Sequence, residues 1–229
     1  MSIIQINKLT KTYHDTEVPV HAVNGVDLSF EEGEFAAIVG PSGCGKTTLM
    51  NMVGGLEQPT SGDVIVDGST MSKLSSNALI DFRLRNIGFV FQAYNLIPVL
   101  SAKENVEFIM QLQNWNKKEM DERTLALLES VGLGDKINSK PNQLSGGQQQ
   151  RVAVARALAS KPKFILADEP TANLDSIATN QLLDIMEKLN REENMTFIFA
   201  THDQRVMDKA KRVVTLDDGK VISDILKNP

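Results

Sequence analysis

The sequence predicts an α/β fold: a mainly parallel sheet with a helical insertion in its middle. Short apolar runs typical of buried strands, such as residues 35–39 and 164–167, alternate with segments whose apolar residues recur at helical spacing. From about residue 100 to residue 160 the pattern is helical. A chain of 229 residues is long enough for one large domain of this class, with room for a small subdomain.

The individual elements follow from periodicity, with glycine and proline marking their ends. We expect strands at residues 3–9, 26–30, 35–39, 63–66, 87–91, 164–167 and 196–200, and two more that flank residues 217–219. We expect helices after residue 45, at residues 75–85, 102–113, 117–131 and 176–193, and between Gln148 and Lys161. The sequence contains no internal repeat and no low-complexity tract.

Composition weighs against several classes of protein. The net charge is −5 and no basic block stands out, so we expect no nucleic-acid partner. No apolar run approaches the roughly 18 residues of a membrane span, and residues 1–8 lack a signal peptide's apolar core. Cys44 is the single cysteine, which fits a reducing cytosol. We therefore expect any membrane role to come through a partner chain.

A glycine-rich turn follows the strand at residues 35–39 and leads into a helix. It fills every fixed position of the pattern G-x-x-x-x-G-K-[ST] and comprises Gly40, Pro41, Ser42, Gly43, Cys44, Gly45, Lys46, Thr47 and Thr48. In such a loop, backbone N–H groups and the helix N-terminus face an anion, and the lysine reaches the β- and γ-phosphates. The complete pattern between these flanks disfavours an ordinary turn. The sequence therefore predicts that a nucleoside triphosphate binds here, with the Thr47 hydroxyl available to Mg²⁺.

Polar residues follow the apolar strands, where ligands of parallel sheets bind: Lys46, Gln92, Asp168, Glu169 and His202. Asp168 has the oxygen ligands that Mg²⁺ prefers, and Gln92 would be a second ligand that positions water. Glu169 would polarise a water towards the γ-phosphate, and His202 would contact that phosphate or the water. The alternatives are structural roles. The two acids would cap the next helix, Gln92 would be a plain strand-end glutamine, and His202 would be a core or surface histidine with its hydrogen bonds satisfied. The candidates for catalysis are thus Lys46, Gln92, Glu169 and His202.

A second helix start has residues suited to an anion: Leu144, Ser145, Gly146, Gly147 and Gln148. Ser145 with Gln148 fits a capping box, and paired glycines make a common turn, so a structural role is open. Free N–H groups and the helix dipole at the same place would attract phosphate. A chain with one complete phosphate loop needs no second one on the same face. This pattern therefore indicates a half-site for a nucleotide bound to another copy.

Taken together, these residues resemble the ATP-binding subunit of ABC transporters along nearly the whole chain. The resemblance is carried by the Walker A loop at residues 40–48, Gln92, the signature at residues 144–148, Walker B at residues 164–168 with Glu169, the D-loop at residues 173–175 and Thr201-His202-Asp203. The signature is the discriminating motif, since a Walker A loop alone occurs in many unrelated proteins. The resemblance implies one ABC ATP-binding domain over residues 1–229. Its P-loop NTPase core and antiparallel β subdomain would occupy residues 1–92 and 161–229, and its helical subdomain residues 93–160.

The resemblance also implies that two copies form a sandwich around ATP and Mg²⁺ and hydrolyse the ATP. Each ATP would contact one copy's Walker A loop, and the site would be completed in trans by Ser145, Gly146, Gly147 and Gln148. Glu169 would be the catalytic base, and His202 its partner at the γ-phosphate. Asp175 would communicate across the dimer. Tyr13 matches the aromatic residue that stacks on adenine, although its position alone leaves ordinary packing equally open.

Within the family, the chain is most similar to the branch that serves macrolide exporters and lipoprotein-releasing complexes. This similarity is carried by residues 20–26, 51–56 and 141–151. It implies a cytoplasmic subunit that lies on the inner face of the cell membrane through integral membrane permease subunits. It favours export or extraction, and the one complete set of motifs favours a homodimer, whereas the transported molecule stays open.

A soluble, non-transport ABC ATPase of repair or regulation is the alternative. Members that act in repair need a long coiled coil, and the segment from Gln92 to Leu144 is too short for one. A P-loop kinase or GTPase would not explain the signature, and the guanine element Asn-Lys-x-Asp does not occur.

The segment at residues 93–100 is unusually apolar for a connection. We expect it to form, with the neighbouring helices, a groove that receives a helix of the membrane partner. Ordinary packing of the helical subdomain is the alternative, because apolar surface marks partners often but not always.

Overall fold

The computed structural model describes residues 2–14 and 18–227. The strands are β1 (Ser2–Tyr13), β2 (Val20–Glu31), β3 (Phe35–Val39), β4 (Ser61–Val66), β5 (Ser69–Thr70), β6 (Ile87–Val90), β7 (Phe164–Asp168), β8 (Thr196–Ala200), β9 (Arg212–Asp217) and β10 (Lys220–Leu226). The α-helices are α1 (Lys46–Val53), α2 (Ser76–Asn86), α3 (Ala102–Leu112), α4 (Lys117–Ser130), α5 (Gly146–Ala159), α6 (Ser176–Glu193) and α7 (Gln204–Lys209). Short 3₁₀ turns lie at Met71–Lys73 and Pro141–Gln143.

The main sheet has six strands in the order β10-β9-β3-β8-β7-β6. The pairs from β9 to β6 are all parallel, and only the edge strand β10 runs antiparallel to its neighbour β9. The predicted mainly parallel sheet is therefore confirmed. Because the parallel strands end at one edge, the residues that follow β3, β6, β7 and β8 meet there.

The second sheet is antiparallel, with the strand order β2-β1-β4-β5. Its first two strands are longer than the ranges 3–9 and 26–30 that alternation predicts. The pairing of β1 with β2 shifts its register between Ile6 and Thr10, which accounts for the difference. Such irregularities accommodate polar residues that break the alternating pattern, and the two strands stay paired beyond them. This sheet is the antiparallel part that the family resemblance implies.

The main sheet separates two hydrophobic cores, because successive residues of a strand face opposite sides. Phe35, Phe197 and Phe199 face the core built with α3, α4, α5 and α6, where the rings of Phe35 and Phe199 lie 4.8 Å apart. Ile38 and Ile198 face the other core, which α1 and the antiparallel sheet complete. Covered on both sides, the sheet is a rigid support for the residues at its edge.

Helix α7 is an element that the sequence pattern does not predict. It has six residues, and only Val206 among them is buried, so it presents no periodic apolar face. Its start is fixed instead by Asp203, whose side chain accepts a hydrogen bond from the backbone N–H of Arg205. The segment after β8 is thereby held in one conformation directly behind His202.

Candidate active site

A cavity of about 520 Å³ opens at the carboxyl edge of the main sheet. It has the size of a small-molecule site. Its lining combines the loop after β3 with residues that follow β6, β7 and β8: Gly40, Pro41, Ser42, Gly43, Gly45, Lys46, Thr47, Thr48, Gln92, Glu169, Ala172 and His202, together with Ala22 of β2. The structure thus brings together most of the residues that the sequence predicts for this site.

The loop at residues 40–48 needs glycine where the chain turns into α1. Gly45 has a φ of 103°, and a Cβ there would overlap the carbonyl oxygen of Ala22. Lys46 is buried, and its Nζ donates to the carbonyl oxygens of Gly40 at 2.8 Å and Pro41 at 3.0 Å. In the described part of the chain no side chain caps α1. The N-terminus of α1 therefore has free N–H groups in its first turn, and together with the charged lysine they are suited to bind phosphate.

Cys44 differs from the other loop residues because its side chain turns away from the cavity. It is buried in the core beneath the loop, with Sγ 3.8 Å from Lys46 Nζ. Only the backbone of Cys44 can therefore face a bound anion.

Thr47 and Asp168 form an oxygen-rich pair at the end of β7. The Thr47 hydroxyl lies 3.0 Å from one oxygen of the Asp168 carboxylate and 3.2 Å from the other. Burial raises the pKa of Asp168, and the hydrogen bond from Thr47 acts in the opposite direction. Among the described residues no group of three or more His, Cys, Asp and Glu could hold a metal ion. A hydroxyl with one carboxylate fits Mg²⁺, which binds few protein ligands and keeps waters and phosphate oxygens.

Glu169 is held from two sides at the mouth of the cavity. Its Oε1 lies 2.7 Å from Nδ1 of His202, and its Oε2 accepts a hydrogen bond of 3.0 Å from the Thr201 hydroxyl. The φ of Glu169 is 46°, in the left-handed region that non-glycine residues rarely adopt. Its N–H donates to the Ala200 carbonyl at 2.8 Å. A carboxylate and an imidazole in direct contact beside the phosphate loop can accept and donate protons.

Thr201 is a residue of this site that the sequence analysis missed. The family motif draws attention to His202, whereas Thr201 only ends an apolar run. The contact with Glu169 arises because β7 and β8 are neighbours with Asp168 opposite Ala200, and strand order is not visible in the sequence.

The signature residues lie outside the lining of this cavity, at the N-terminus of α5. The predicted capping box is confirmed, with the Ser145 hydroxyl accepting from Gln148 N–H at 3.3 Å and Ser145 N–H donating to Gln148 Oε1 at 2.8 Å. A Cβ on Gly147 would lie 2.8 Å from the Cβ of Ala178 in α6. The signature therefore has a structural role in its own chain, and its contact with a nucleotide stays a prediction.

The sequence profile of ABC transporters matches residues 23–172. This chain belongs to the ABC transporter family. It is 46% identical over 219 residues to an uncharacterized ABC transporter ATP-binding protein of Thermotoga maritima, covering 96% of this chain and 93% of that protein. It is 47% identical over 222 residues to the macrolide export ATP-binding/permease protein MacB of Hyphomonas neptunium, covering 97% of this chain and 34% of that protein. The chain thus spans about a third of the length of this relative.

Solved structures of ABC cassettes share the fold over nearly the whole chain. The ATP-binding cassette MJ0796, in a dimeric post-hydrolysis state bound to ADP and Pi, is 42% identical with a TM-score of 0.90, covering 99% of both chains. A further dimeric structure of MJ0796 gives a TM-score of 0.91. The chain is therefore an ATPase with the ABC cassette fold.

Within residues 2–14 and 18–227, no helix is long and apolar enough to cross a membrane.

Tyr13 and Asp175, which the family resemblance also singles out, lie outside the cavity lining of this ABC ATPase. Burial raises the pKa of the Tyr13 hydroxyl. The Lys11 ammonium lies 5.1 Å from the centre of its ring. Asp175 caps α6 by accepting from the Ala178 N–H at 2.8 Å. Stacking on adenine by Tyr13 and communication across a dimer by Asp175 stay predictions.

An apolar groove of about 470 Å³ lies between the main sheet and the helical region of the cassette. It is lined by Ile80, Arg83, Leu84, Ile87, Phe89, Phe91, Ile109, Leu112, Arg156, Ala157 and Ser160. The lining of this groove does not include residues 93–100, and the expectation that this segment forms a docking groove with the neighbouring helices stays a prediction. In that segment Leu96 packs against the core and Asn105 holds the backbone at Ile97 and Leu100, whereas Val99 is 71% exposed.

Proposed function

We propose that the chain is the ATP-hydrolysing subunit of a membrane transporter, which closes with a second copy around ATP and reopens after hydrolysis. The observation that carries this proposal is the separation of two anion-binding features. The loop at residues 40–48 lines a cavity, whereas residues 145–148 begin α5 outside that cavity. A second copy would supply its own residues 145–148 to complete the site. The dimers of MJ0796 support this arrangement.

The residues of the cavity would divide the chemistry among them. Lys46 would neutralise the β- and γ-phosphates, and Mg²⁺ held by Thr47, Asp168 and Gln92 would spread the charge that develops on the phosphate oxygens. Glu169 would accept a proton from the attacking water. The water oxygen then bonds to the γ-phosphorus as the bond to ADP breaks, and His202 would donate a hydrogen bond to the γ-phosphate.

The apolar groove would receive a helix of the membrane subunit. Ile80 and Leu112 line it and are exposed, so they extend its apolar lining to the surface, and contiguous exposed apolar surface often marks a partner-binding site. Arg156 links the groove to the loop after Gln92, since its guanidinium donates to the carbonyl oxygens of Tyr94 and Asn95. Through this partner the chain would lie on the inner face of the membrane. The similarity to MacB supports export or extraction as the direction of transport.

The proposal is tested by recovering the partner. Tagged Glu169→Gln protein, which should bind ATP without hydrolysing it, is added with MgATP to detergent-solubilised membranes of the host. We expect co-purification of a protein with several membrane spans, identified by mass spectrometry. Recovery of a soluble dimer alone, with the tag shown to be accessible, would favour a non-transport ABC ATPase instead.

A further inference from the structure

The ends of β7 and β8 form a closed hydrogen-bonded junction that the proposed chemistry does not use. Glu169 N–H donates to the Ala200 carbonyl at 2.8 Å, and Thr201 N–H donates to the Ile38 carbonyl at 3.1 Å. Thr201 is fully buried, and its hydroxyl oxygen accepts from the Asp203 N–H at 3.0 Å. The hydroxyl proton is directed to Oε2 of Glu169, 3.0 Å away. Thr201 is thus fixed through its backbone and its side chain.

The two partners of the Glu169 carboxylate differ in their freedom to move. The side chain of His202 is 74% exposed, whereas that of Glu169 is 17% exposed and Thr201 is buried. An exposed imidazole at the rim can turn towards a phosphate. A buried β-branched residue with both its hydrogen-bonding capacities in use cannot change rotamer without leaving a polar group unpaired. Thr201 is therefore the fixed hydrogen-bond partner of Glu169, and His202 is the mobile one.

Asp203 stabilises the junction from behind. Its carboxylate accepts from the Arg205 guanidinium at 2.7 Å and from the Thr171 hydroxyl at 2.8 Å. Thr171 lies two residues after Glu169, so this contact ties the chain beyond β7 to the chain beyond β8. The same aspartate presents its N–H to Thr201. Thr171 and Thr201 are both buried and both join the two loops, but only Thr201 contacts Glu169.

We propose that Thr201 is a positioning residue for ATP hydrolysis: its hydroxyl holds Oε2 of Glu169, which keeps Oε1 aimed at the attacking water when His202 turns to the γ-phosphate. The inference rests on the proposed role of Glu169 as the base. A base displaced by about 1 Å can lose two orders of magnitude in rate, so the contribution of a fixed hydrogen bond is measurable.

The test compares steady-state ATP hydrolysis by Thr201→Val and Thr201→Ser with that of the wild type. Valine keeps the shape and removes the hydroxyl, so we expect kcat to fall about 10- to 100-fold while KM for ATP changes less than about threefold. Serine restores the hydroxyl, so we expect kcat to return to within about threefold of the wild type. Failure of serine to restore kcat would overturn the inference.

Thr171→Val is the matched control, since it removes an equally buried hydroxyl from the same junction without touching Glu169. Thermal unfolding of both valine variants measures the cost of loosening the junction. We expect a similar loss of stability in the two, with the large fall in kcat confined to Thr201→Val. Equal falls in kcat in the two variants would overturn the inference by showing a merely structural role.

Glu169→Gln in the same assay separates this inference from the proposed function. If Glu169→Gln abolishes turnover and Thr201→Val behaves like Thr171→Val, the inference alone fails. If Glu169→Gln retains the wild-type kcat, the proposed role of Glu169 fails, and the inference fails with it. In the Glu169→Gln background, Thr201→Val should cause no further loss of single-turnover rate, because its effect runs through Glu169.

Discussion

Threonine hydroxyls fix the two acids at the end of β7. Thr47 pairs with Asp168 and Thr201 with Glu169, each at a closest distance of 3.0 Å. A hydroxyl orients a carboxylate without adding charge, so the negative charge of the carboxylate is not neutralised and can act on the substrate and the metal. Thr201 follows β8, the strand next to β7, and Thr47 follows β3, which lies one strand further along the sheet. The site is therefore set by contacts across the sheet rather than along the chain.

Asp203 gives the junction a defined acid sensitivity. The hydrogen bonds from Arg205, helped by Thr171, lower the pKa of Asp203 to about 2. A carboxyl with a depressed pKa in the folded state stabilises the fold above its unfolded pKa of about 4, and this contribution is lost as the pH falls towards the folded value. We expect the difference in urea stability between wild type and Asp203→Asn to be constant from about pH 7 to pH 5 and to shrink from about pH 4 to pH 2. A difference unaffected by pH would contradict this explanation.

At the scale of elements, α3 and α5 begin with the same capping box. Ser101 accepts from Glu104 N–H at 3.3 Å, as Ser145 does from Gln148 N–H. Replacing either serine by alanine should cost about 1 kcal/mol of stability in urea unfolding. If residues 145–148 also contact the partner's ATP, only Ser145→Ala should weaken MgATP-dependent dimerisation, measured by light scattering in the Glu169→Gln background. Equal dimerisation of the two variants would count against a trans contact by Ser145.

Elements and loops were predictable from the sequence where their signals are local. The phosphate loop is one continuous pattern, and the strand-end residues Gln92, Glu169 and His202 reach one cavity because parallel strands share an edge. The contact between Thr201 and Glu169 depends on which strands are neighbours and in what register. The groove also escaped prediction. Its lining comes from α2, β6, α3 and α5 and is spread between residues 80 and 160, so no local sequence pattern marks it.

At the scale of the whole molecule, the groove can be tested with a matched pair of leucines. Leu112 lines the groove and is 51% exposed, whereas Leu125 on α4 is 44% exposed and lies outside that lining. A glutamate at either surface position should leave the fold intact. We expect Leu112→Glu to reduce recovery of the membrane protein with tagged Glu169→Gln by at least tenfold, because a buried unpaired charge would oppose an apolar contact. Leu125→Glu should have no effect, and equal recovery with both variants would exclude this groove as the docking site.

The central claim is that ATP bridges two copies of the chain, and the molar mass of Glu169→Gln in solution tests it most directly. Light scattering with saturating MgATP should give twice the chain mass of 25.2 kDa, and removal of the nucleotide should return the protein to a single chain. Lys46→Ala in the same background should stay monomeric, because it loses the cation that binds the phosphates. A mass of one chain in MgATP, with bound ATP verified, would contradict the account.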